Sequence, residues 1–143
     1  MLVSLAAKDV KPMRRIRVLL ADDHDEVLAR VRVLLGEEFD IVSAVNNGRA
    51  AIEETERLDP DVLVIDISMP VLNGLQAASQ LRETNQRTKI VFLTVHEDPD
   101  FVAAALAAGA SAYVTKEDVT TDLLPAIYEV LQGGTYVSQS IPL

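Results

Sequence analysis

The sequence predicts an α/β fold in which a parallel β-sheet is covered by helices on both faces. Three observations predict it: continuous apolar runs rich in β-branched residues, helical periodicity in the gaps between them, and short connections. Strand and helix alternate five times, which implies a doubly wound sheet. The chain has 143 residues, 49% of them hydrophobic, and this suffices for one domain with a well-formed core.

Five apolar runs are predicted to be the strands of this sheet. Four of them are uniform, as expected of parallel strands buried on both faces. These four are residues 16–21, 61–66, 89–95 and 111–116. A fifth run, residues 39–45, is similar but less uniform.

Capping residues mark the starts of several predicted helices. The N-caps predicted for the second, third and fourth helices are Asn47, Asn73 and Asp98. The fifth helix is predicted over residues 122–132, before two glycines. Pro125 fits that helix only if it lies in the first turn, where a missing N–H costs little.

Composition and charge limit the classes of function. The chain has 13 basic and 22 acidic residues and a net charge of −9, which argues against direct nucleic-acid contact by this segment. No apolar stretch is long enough to span a bilayer, so no membrane partner is expected. The chain has no cysteine, which excludes disulfides and thiolate metal sites. Residues 1–13 are interpreted as an N-terminal tail, 14–134 as the domain, and 135–143 as the start of a linker or a C-terminal tail.

Chemically distinctive residues stand at the carboxyl ends of four of the predicted strands. They are Asp22, Asp23, Asp66, Thr94 and Lys116. In an open α/β sheet the carboxyl ends of the strands meet at one edge, where ligands bind, so these side chains are expected to converge. Close carboxylates repel one another unless a cation is present, and all-oxygen ligands favour Mg²⁺, with Mn²⁺ as an alternative. Lys116 and Thr94 would then donate to phosphoryl oxygens, and Asp66 would be the attacking nucleophile.

Each of these residues also has an ordinary structural explanation. An Asp-Asp pair before a helix is favoured by the helix dipole, and a single aspartate after a strand is commonly a turn residue. A lysine after a strand is commonly a solvated charge. The joint occurrence at the same end of successive strands favours the functional interpretation.

Four segments of the sequence resemble the receiver domain of response regulators (CheY-like) in bacterial two-component systems. They are "LLADDH" (19–24), "VIDISMPVLNG" (64–74), "LTVHED" (93–98) and "AYVTKED" (112–118). The resemblance covers residues 14–134, and "AGASAYVTKE" and "GGTYVS" are similar to the NarL/FixJ (LuxR-type) subfamily. It implies a flavodoxin-like (βα)5 fold with strand order 2-1-3-4-5.

The resemblance also implies roles for the residues at the predicted edge. Asp66 would be the phosphoacceptor. Asp23, Asp66 and the backbone carbonyl of Ser68 would bind Mg²⁺ directly, and Asp22 would act through water. Lys116 would pair with the aspartate or its phosphate.

Two further pairs of positions are implied by the same resemblance. Thr94 and Tyr113 would form a switch pair that reshapes the surface of the fourth helix, fifth strand and fifth helix. Tyr113 is otherwise a half-buried aromatic of a strand. Ser68 and His96 occupy positions that tune phosphate hydrolysis, although His96 by itself is interpreted as a solvated loop residue.

Two positions depart from the pattern of the family. Many receivers have proline after the lysine, with a cis peptide bond, but here Glu117 follows Lys116, so a trans bond is expected. Val95 is bulkier than the residue often found next to Thr94, and it is expected to narrow the approach to Asp66.

The expected function is that of a cytoplasmic signalling switch that takes a phosphoryl group from a sensor histidine kinase. It would catalyse its own phosphorylation and dephosphorylation without being a conventional enzyme. DNA would be reached through a C-terminal helix-turn-helix domain that this sequence does not contain, unless the chain is a stand-alone receiver. The apolar fourth helix, within residues 101–110, suggests a homodimer formed on phosphorylation, although alanine-rich helix propensity explains it equally well.

Two other classes of protein share some of these sequence features. A phosphohydrolase of the haloacid dehalogenase type also uses an aspartyl phosphate, but it needs a second aspartate two residues after the nucleophile, where this chain has Ser68. A pseudo-receiver, an interaction module that never takes phosphate, would lack one or more of Asp23, Asp66, Thr94 and Lys116, and all four are present.

Overall fold

A computed structural model of the chain describes residues 14–142, and the predicted N-terminal tail, residues 1–13, lies outside the described residues. Within residues 14–142, strands and helices alternate. The elements in chain order are β1 (Arg17–Ala21), α1 (Asp25–Leu35), β2 (Asp40–Val45), α2 (Gly48–Leu58), β3 (Val62–Ile65), α3 (Gly74–Thr84), β4 (Lys89–Thr94), α4 (Pro99–Ala107), β5 (Ala112–Thr115), a 3₁₀ turn (Lys116–Asp118), α5 (Val119–Leu131) and β6 (Tyr136–Val137). No helix in this part of the chain is long and apolar enough to cross a membrane.

The strands form one parallel sheet in the order β2-β1-β3-β4-β5-β6. This confirms the flavodoxin-like α/β fold and the order 2-1-3-4-5, and it adds β6 beside β5. The pairing of β1 with β2 shifts register between Val18 and Leu19, so that β2 carries an irregularity.

The core has two layers because side chains alternate across the sheet. One layer packs the sheet against α2, α3 and α4, with Leu63 and Phe92 among its fully buried residues. The other packs it against α1 and α5, with Val62 and Val91. Both faces of β1, β3, β4 and β5 are therefore covered, which explains their continuous apolar runs. The less uniform β2 is partly exposed because it lies at the sheet edge.

The three predicted N-caps are confirmed. Asn47, Asn73 and Asp98 each accept a hydrogen bond from a backbone N–H in the first turn of the following helix. Asn73 also forms a capping box with Gln76, whose side chain accepts the Asn73 N–H. These caps begin α2, α3 and α4 directly after loops at the carboxyl edge of the sheet.

The predicted start of the fifth helix is wrong. The 3₁₀ turn Lys116–Asp118 continues directly into α5, which begins at Val119 instead of residue 122. Pro125 therefore lies inside the helix and not in its first turn. Because Pro125 has no N–H, the carbonyl of Thr121 lacks its usual donor four residues later. Both residues are exposed, so water can donate to that carbonyl instead.

The sequence suggested that a linker or tail begins at residue 135, but the chain continues along the sheet there. Tyr136–Val137 pair with β5 as the short strand β6. Ser138 and Ile141, just beyond that strand, are buried. Without β6, β5 would be an unpaired edge strand, so this segment covers backbone groups that would otherwise be open to other chains.

A buried carboxylate holds the opposite, amino-terminal edge of the sheet together. Asp61 accepts the backbone N–H of Arg17 at 2.8 Å and lies 3.1 Å from Arg14 and 3.0 Å from Arg87. Burial alone would raise the pKa of Asp61, but the Arg17 N–H and the guanidinium groups of Arg87 and Arg14 outweigh burial and lower it. The ionised carboxylate therefore ties β1, β3 and the start of β4.

We expect Asp61→Asn to lower the free energy of unfolding at pH 7 by about 1–3 kcal/mol, because hydrogen bonds to a charged group are lost. The folded-state pKa of Asp61 is lowered, so its contribution is present above the unfolded value of about 3.9 and is lost as the pH falls through the folded value. Urea denaturation at steps from pH 7 to pH 3 should show that the difference in free energy of unfolding between Asp61→Asn and wild type becomes smaller.

The matched control is Asp59→Asn, since Asp59 also contacts Arg87 but its side chain is 61% exposed. It should change stability by less than about 1 kcal/mol. An equal loss in both variants, or a gap for Asp61→Asn that does not depend on pH, would contradict the assignment.

Candidate functional site

Three aspartates meet at the carboxyl edge of the sheet. β1 and β3 are neighbours, with Ala21 paired to Ile65, so the residues that follow them lie together. Asp22 and Asp66 are only 3% and 2% exposed, whereas Asp23 is exposed. The predicted convergence of these carboxylates is thus present in the structure.

The ammonium of Lys116 lies between the two buried carboxylates. Its Nζ is 2.8 Å from Oδ2 of Asp22 and 3.0 Å from Oδ2 of Asp66. The other oxygen of Asp66, Oδ1, accepts the N–H of Ile67 at 2.7 Å. Burial alone would lower the pKa of Lys116, but Asp22 and Asp66 outweigh burial and raise it. Lys116 is therefore a fixed positive charge beside the predicted nucleophile.

His24 is a member of the cluster that the sequence analysis did not assign. Its Nδ1 lies 3.0 Å from Oδ1 of Asp22 and 3.2 Å from Oδ1 of Asp23. Asp22, Asp23, His24 and Asp66 each offer one ligand atom, and these atoms lie within 4.8 Å of one another. Three carboxylates at this spacing fit a divalent cation of the magnesium type. The position of His24 directly after Asp22 and Asp23 was the sequence signal that could have predicted its place in the cluster.

Thr94 and Tyr113 both contact the backbone of His96. Thr94 ends β4 and is fully buried, and its hydroxyl accepts the His96 N–H at 3.4 Å. Tyr113 is fully buried too, which corrects the half-buried alternative, and its hydroxyl donates to the His96 carbonyl at 2.8 Å. Burial raises the pKa of Tyr113, and the carboxylates of Asp66 and Asp98 raise it further, so the phenol stays a donor at neutral pH.

The His96 side chain lies in the loop after β4, is half-buried, and is held in place by two contacts. Its Nε2 lies 2.8 Å from the hydroxyl of Ser68, in the loop after β3. Its ring stacks on Phe101 of α4, with centroids 4.3 Å apart and planes at 19°. The two positions expected to tune hydrolysis are therefore in direct contact with each other.

Gly74 lets α3 begin directly behind Asp66. A Cβ at this position would lie 2.0 Å from the backbone oxygen of Asp66. Ahead of it, Val71 has a φ of 71°, and the N–H of Leu72 donates to the carbonyl of Pro70 at 2.7 Å, which makes a γ-turn. The "MPVLNG" segment thus makes a tight return to the helix.

The two departures from the family pattern have different outcomes. The described residues contain no cis peptide bond, so the expected trans bond between Lys116 and Glu117 is confirmed. Val95 is 64% exposed beside Thr94. The expected narrowing of the approach to Asp66 by Val95 stays a prediction.

Comparison with known proteins adds independent evidence. The family described as the response regulator receiver domain matches residues 18–128. The nitrate/nitrite response regulator protein NarL of Escherichia coli K12 is 35% identical over 126 residues, which cover 87% of this chain and 58% of NarL. The chain thus spans a little over half the length of the curated relatives that it matches.

Solved structures agree with the sequence relatives. A two-component response regulator of the LuxR family from Aurantimonas has a TM-score of 0.85 and 29% identity, covering 89% of this chain and 92% of that one. A structure of RcsB dimers bound to two parallel DNAs has a TM-score of 0.81 and 26% identity, covering 89% of this chain and 66% of that one.

We expect Gly74→Ala to destabilise the domain by about 1–3 kcal/mol, because the added methyl group overlaps the backbone of Asp66 and forces it to move. Urea denaturation would measure the change. Gly134→Ala is the matched control, since the nearest atoms that its Cβ would meet belong to the flexible side chain of Glu129. Equal stability of the two variants would show that the Asp66 backbone tolerates displacement.

Proposed function

The chain belongs to the response regulator receiver domain family, and we propose that it is a signalling switch operated by phosphorylation of Asp66. One observation carries this proposal: the carboxylate of Asp66 is buried at the end of a central strand, 3.0 Å from the ammonium of Lys116. A buried carboxylate beside a fixed positive charge and two further acids is suited to phosphoryl transfer, where positioning and charge neutralisation dominate.

The phosphoryl donor we propose is a phosphohistidine of a sensor histidine kinase. An oxygen of Asp66 forms the new P–O bond as the P–N bond of the donor breaks. A magnesium or manganese ion, held by Asp23, Asp66 and the Ser68 backbone carbonyl with Asp22 acting through water, would neutralise the oxygen charges. The chain would thus act on itself and would not be a conventional enzyme.

Lys116 and Thr94 are proposed to bind the transferred group. The Lys116 ammonium already lies beside Asp66, and it would move little to contact a phosphoryl oxygen. Among residues 14–142 the Thr94 hydroxyl has a single weak partner, the His96 N–H at 3.4 Å, so it can be drawn away at small cost.

The switch would pass through His96. Thr94 and Tyr113 hold the N–H and the carbonyl of this one residue. If Thr94 turns toward the phosphoryl group, the loop between β4 and α4 loses one of these two contacts, and Tyr113 can repack. This supports a change of the surface formed by α4, β5 and α5.

The output is proposed to be control of transcription through a DNA-binding domain outside this chain. NarL is longer than this chain, and RcsB binds DNA as a dimer according to the structure described above. A net charge of −9 makes this domain itself a poor DNA ligand. The exposed Leu106 and alanines of α4 offer a surface for a homodimer formed on phosphorylation. We expect the switch to work in the cytoplasm.

Asp66→Asn should abolish labelling by a small phosphodonor such as acetyl phosphate with Mg²⁺, because the amide is not a nucleophile for phosphorus. Intact-protein mass spectrometry detects the phosphoryl adduct. Asp25→Asn, an exposed acid in the first turn of α1, is the control and should label like wild type. Labelling that persists in Asp66→Asn would refute the assignment, and an unlabelled wild type would favour a pseudo-receiver.

Ser68→Asn and His96→Glu should each change the phosphate lifetime, by a factor of about three or more, or about 0.6 kcal/mol in the barrier. The reason is that Ser68 and His96 contact each other in the open cleft that Asp23 also lines, and Ser68 follows Asp66 by two residues. Loss of label over time measures the lifetime, with Glu97→Gln as an exposed neighbouring control. A lifetime that is unchanged in either variant would contradict the prediction.

A further inference from the structure

The turn that carries Lys116 is fastened by side chains on both sides of it. Oδ2 of Asp118 accepts the hydroxyl of Thr115 at 2.8 Å and the hydroxyl of Ser140 at 2.6 Å. Thr115 directly precedes Lys116 and Asp118 ends the same 3₁₀ turn. The carboxylate of Asp118 thus closes a bridge around the lysine.

Ser138 makes a second set of bonds to the same region. It is 1% exposed, its N–H donates to the carbonyl of Tyr113 at 2.9 Å, and its hydroxyl accepts the N–H of Thr115 at 3.2 Å. The hydroxyl also donates to Oδ2 of Asp122 in α5 at 2.9 Å. One serine beyond β6 therefore joins the end of β5 to the start of α5, on either side of Lys116.

The C-terminal segment, residues 135–142, is itself anchored at both ends. Tyr136 donates its N–H to the carbonyl of Ser111 at 3.1 Å within the β5–β6 pairing. Ile141 is 5% exposed and packs in the core layer that holds α2, α3 and α4. Ser138 and Ser140 lie between these anchors, so their hydroxyl groups are held at fixed positions.

The hydrogen bonds of Asp118, Ser138 and Ser140 surround the position at which the sequence departs from the pattern of its family. Glu117 stands where many receivers have proline, so no ring stiffens the turn after Lys116. Hydrogen bonds that Asp118 accepts, together with those of the C-terminal segment, restrict the turn instead. A lysine with long, flexible methylenes points at Asp66 only if the backbone that carries it is fixed.

We propose that Asp118 is a positioning residue for Lys116, and that Ser138 and Ser140 couple the C-terminal segment to the phosphoryl site. This inference rests on the proposed function, because it assigns Lys116 to the phosphoryl group. The coupling is reciprocal: a phosphoryl group that binds Lys116 tightens the C-terminal segment, and loosening the segment weakens the binding of the group.

The first test measures binding of beryllofluoride with Mg²⁺ by NMR titration. Asp118→Ala should weaken beryllofluoride binding about three- to tenfold, as expected for lost hydrogen bonds. Binding of Mg²⁺ alone should change less than about twofold, because its proposed ligands lie on other strands. Asp118→Asn, whose amide oxygen still accepts both hydroxyls, should restore most of the affinity.

Tyr128→Phe is the control for a general loss of stability. It removes a hydrogen bond between α5 and Glu38 without touching the turn, and it should bind beryllofluoride like wild type. If Asp118→Ala binds beryllofluoride as tightly as wild type, the positioning role is refuted while the switch stands. If the wild-type chain does not bind beryllofluoride at all, the phosphorylation proposal fails first.

The second test follows amide hydrogen exchange of residues 136–141. Beryllofluoride with Mg²⁺ should slow exchange there in wild type, and Ser140→Ala, at an exposed position that tolerates change, should reduce this slowing. Exchange that responds equally in wild type and Ser140→Ala, or in neither, would overturn the coupling.

Discussion

The Lys116 ammonium between two buried carboxylates is the interaction on which the rest of the site depends. Asp22 and Asp66 would repel each other in an environment that water scarcely reaches, and the Lys116 ammonium offsets this repulsion because it contacts one oxygen of each carboxylate. Lys116 directly follows β5, and β4 lies between β5 and β3, so the lysine side chain has to pass the end of β4. The strand order, the small residue Thr94 at that end, and the fixed turn around Lys116 all serve this one contact.

The fold could be predicted largely because short stretches of the sequence are enough to indicate buried strands and helix N-caps. Continuous β-branched runs identified the central strands, and Asn47, Asn73 and Asp98 identified three helix starts. The convergence of Asp22, Asp66 and Lys116 followed from a general property of parallel sheets, that their carboxyl ends share an edge. The resemblance to receivers supplied what periodicity alone does not contain, namely which strand lies beside which.

What could not be predicted depends on contacts between distant parts of the chain. The start of α5 was missed because the 3₁₀ turn that precedes it has no strong sequence signal, and this moved Pro125 into the helix interior. β6 is only two residues long and is stabilised by its neighbour β5. The pairing of His96 with Ser68 joins two loops that are 28 residues apart, and no spacing rule anticipates it.

The short strand β6 also leaves the sheet with unequal borders. At the border beside β5, the backbone of β5 is covered by β6, so further strands can add most readily at the opposite border, formed by β2. There the register irregularity opposite Val18 and Leu19 and the charge of Asp40 at the strand start disturb a regular template. Natural sheets use such irregularities and charges to discourage pairing with other chains. The exposed border of the sheet is thereby a poor template for an added strand from another chain.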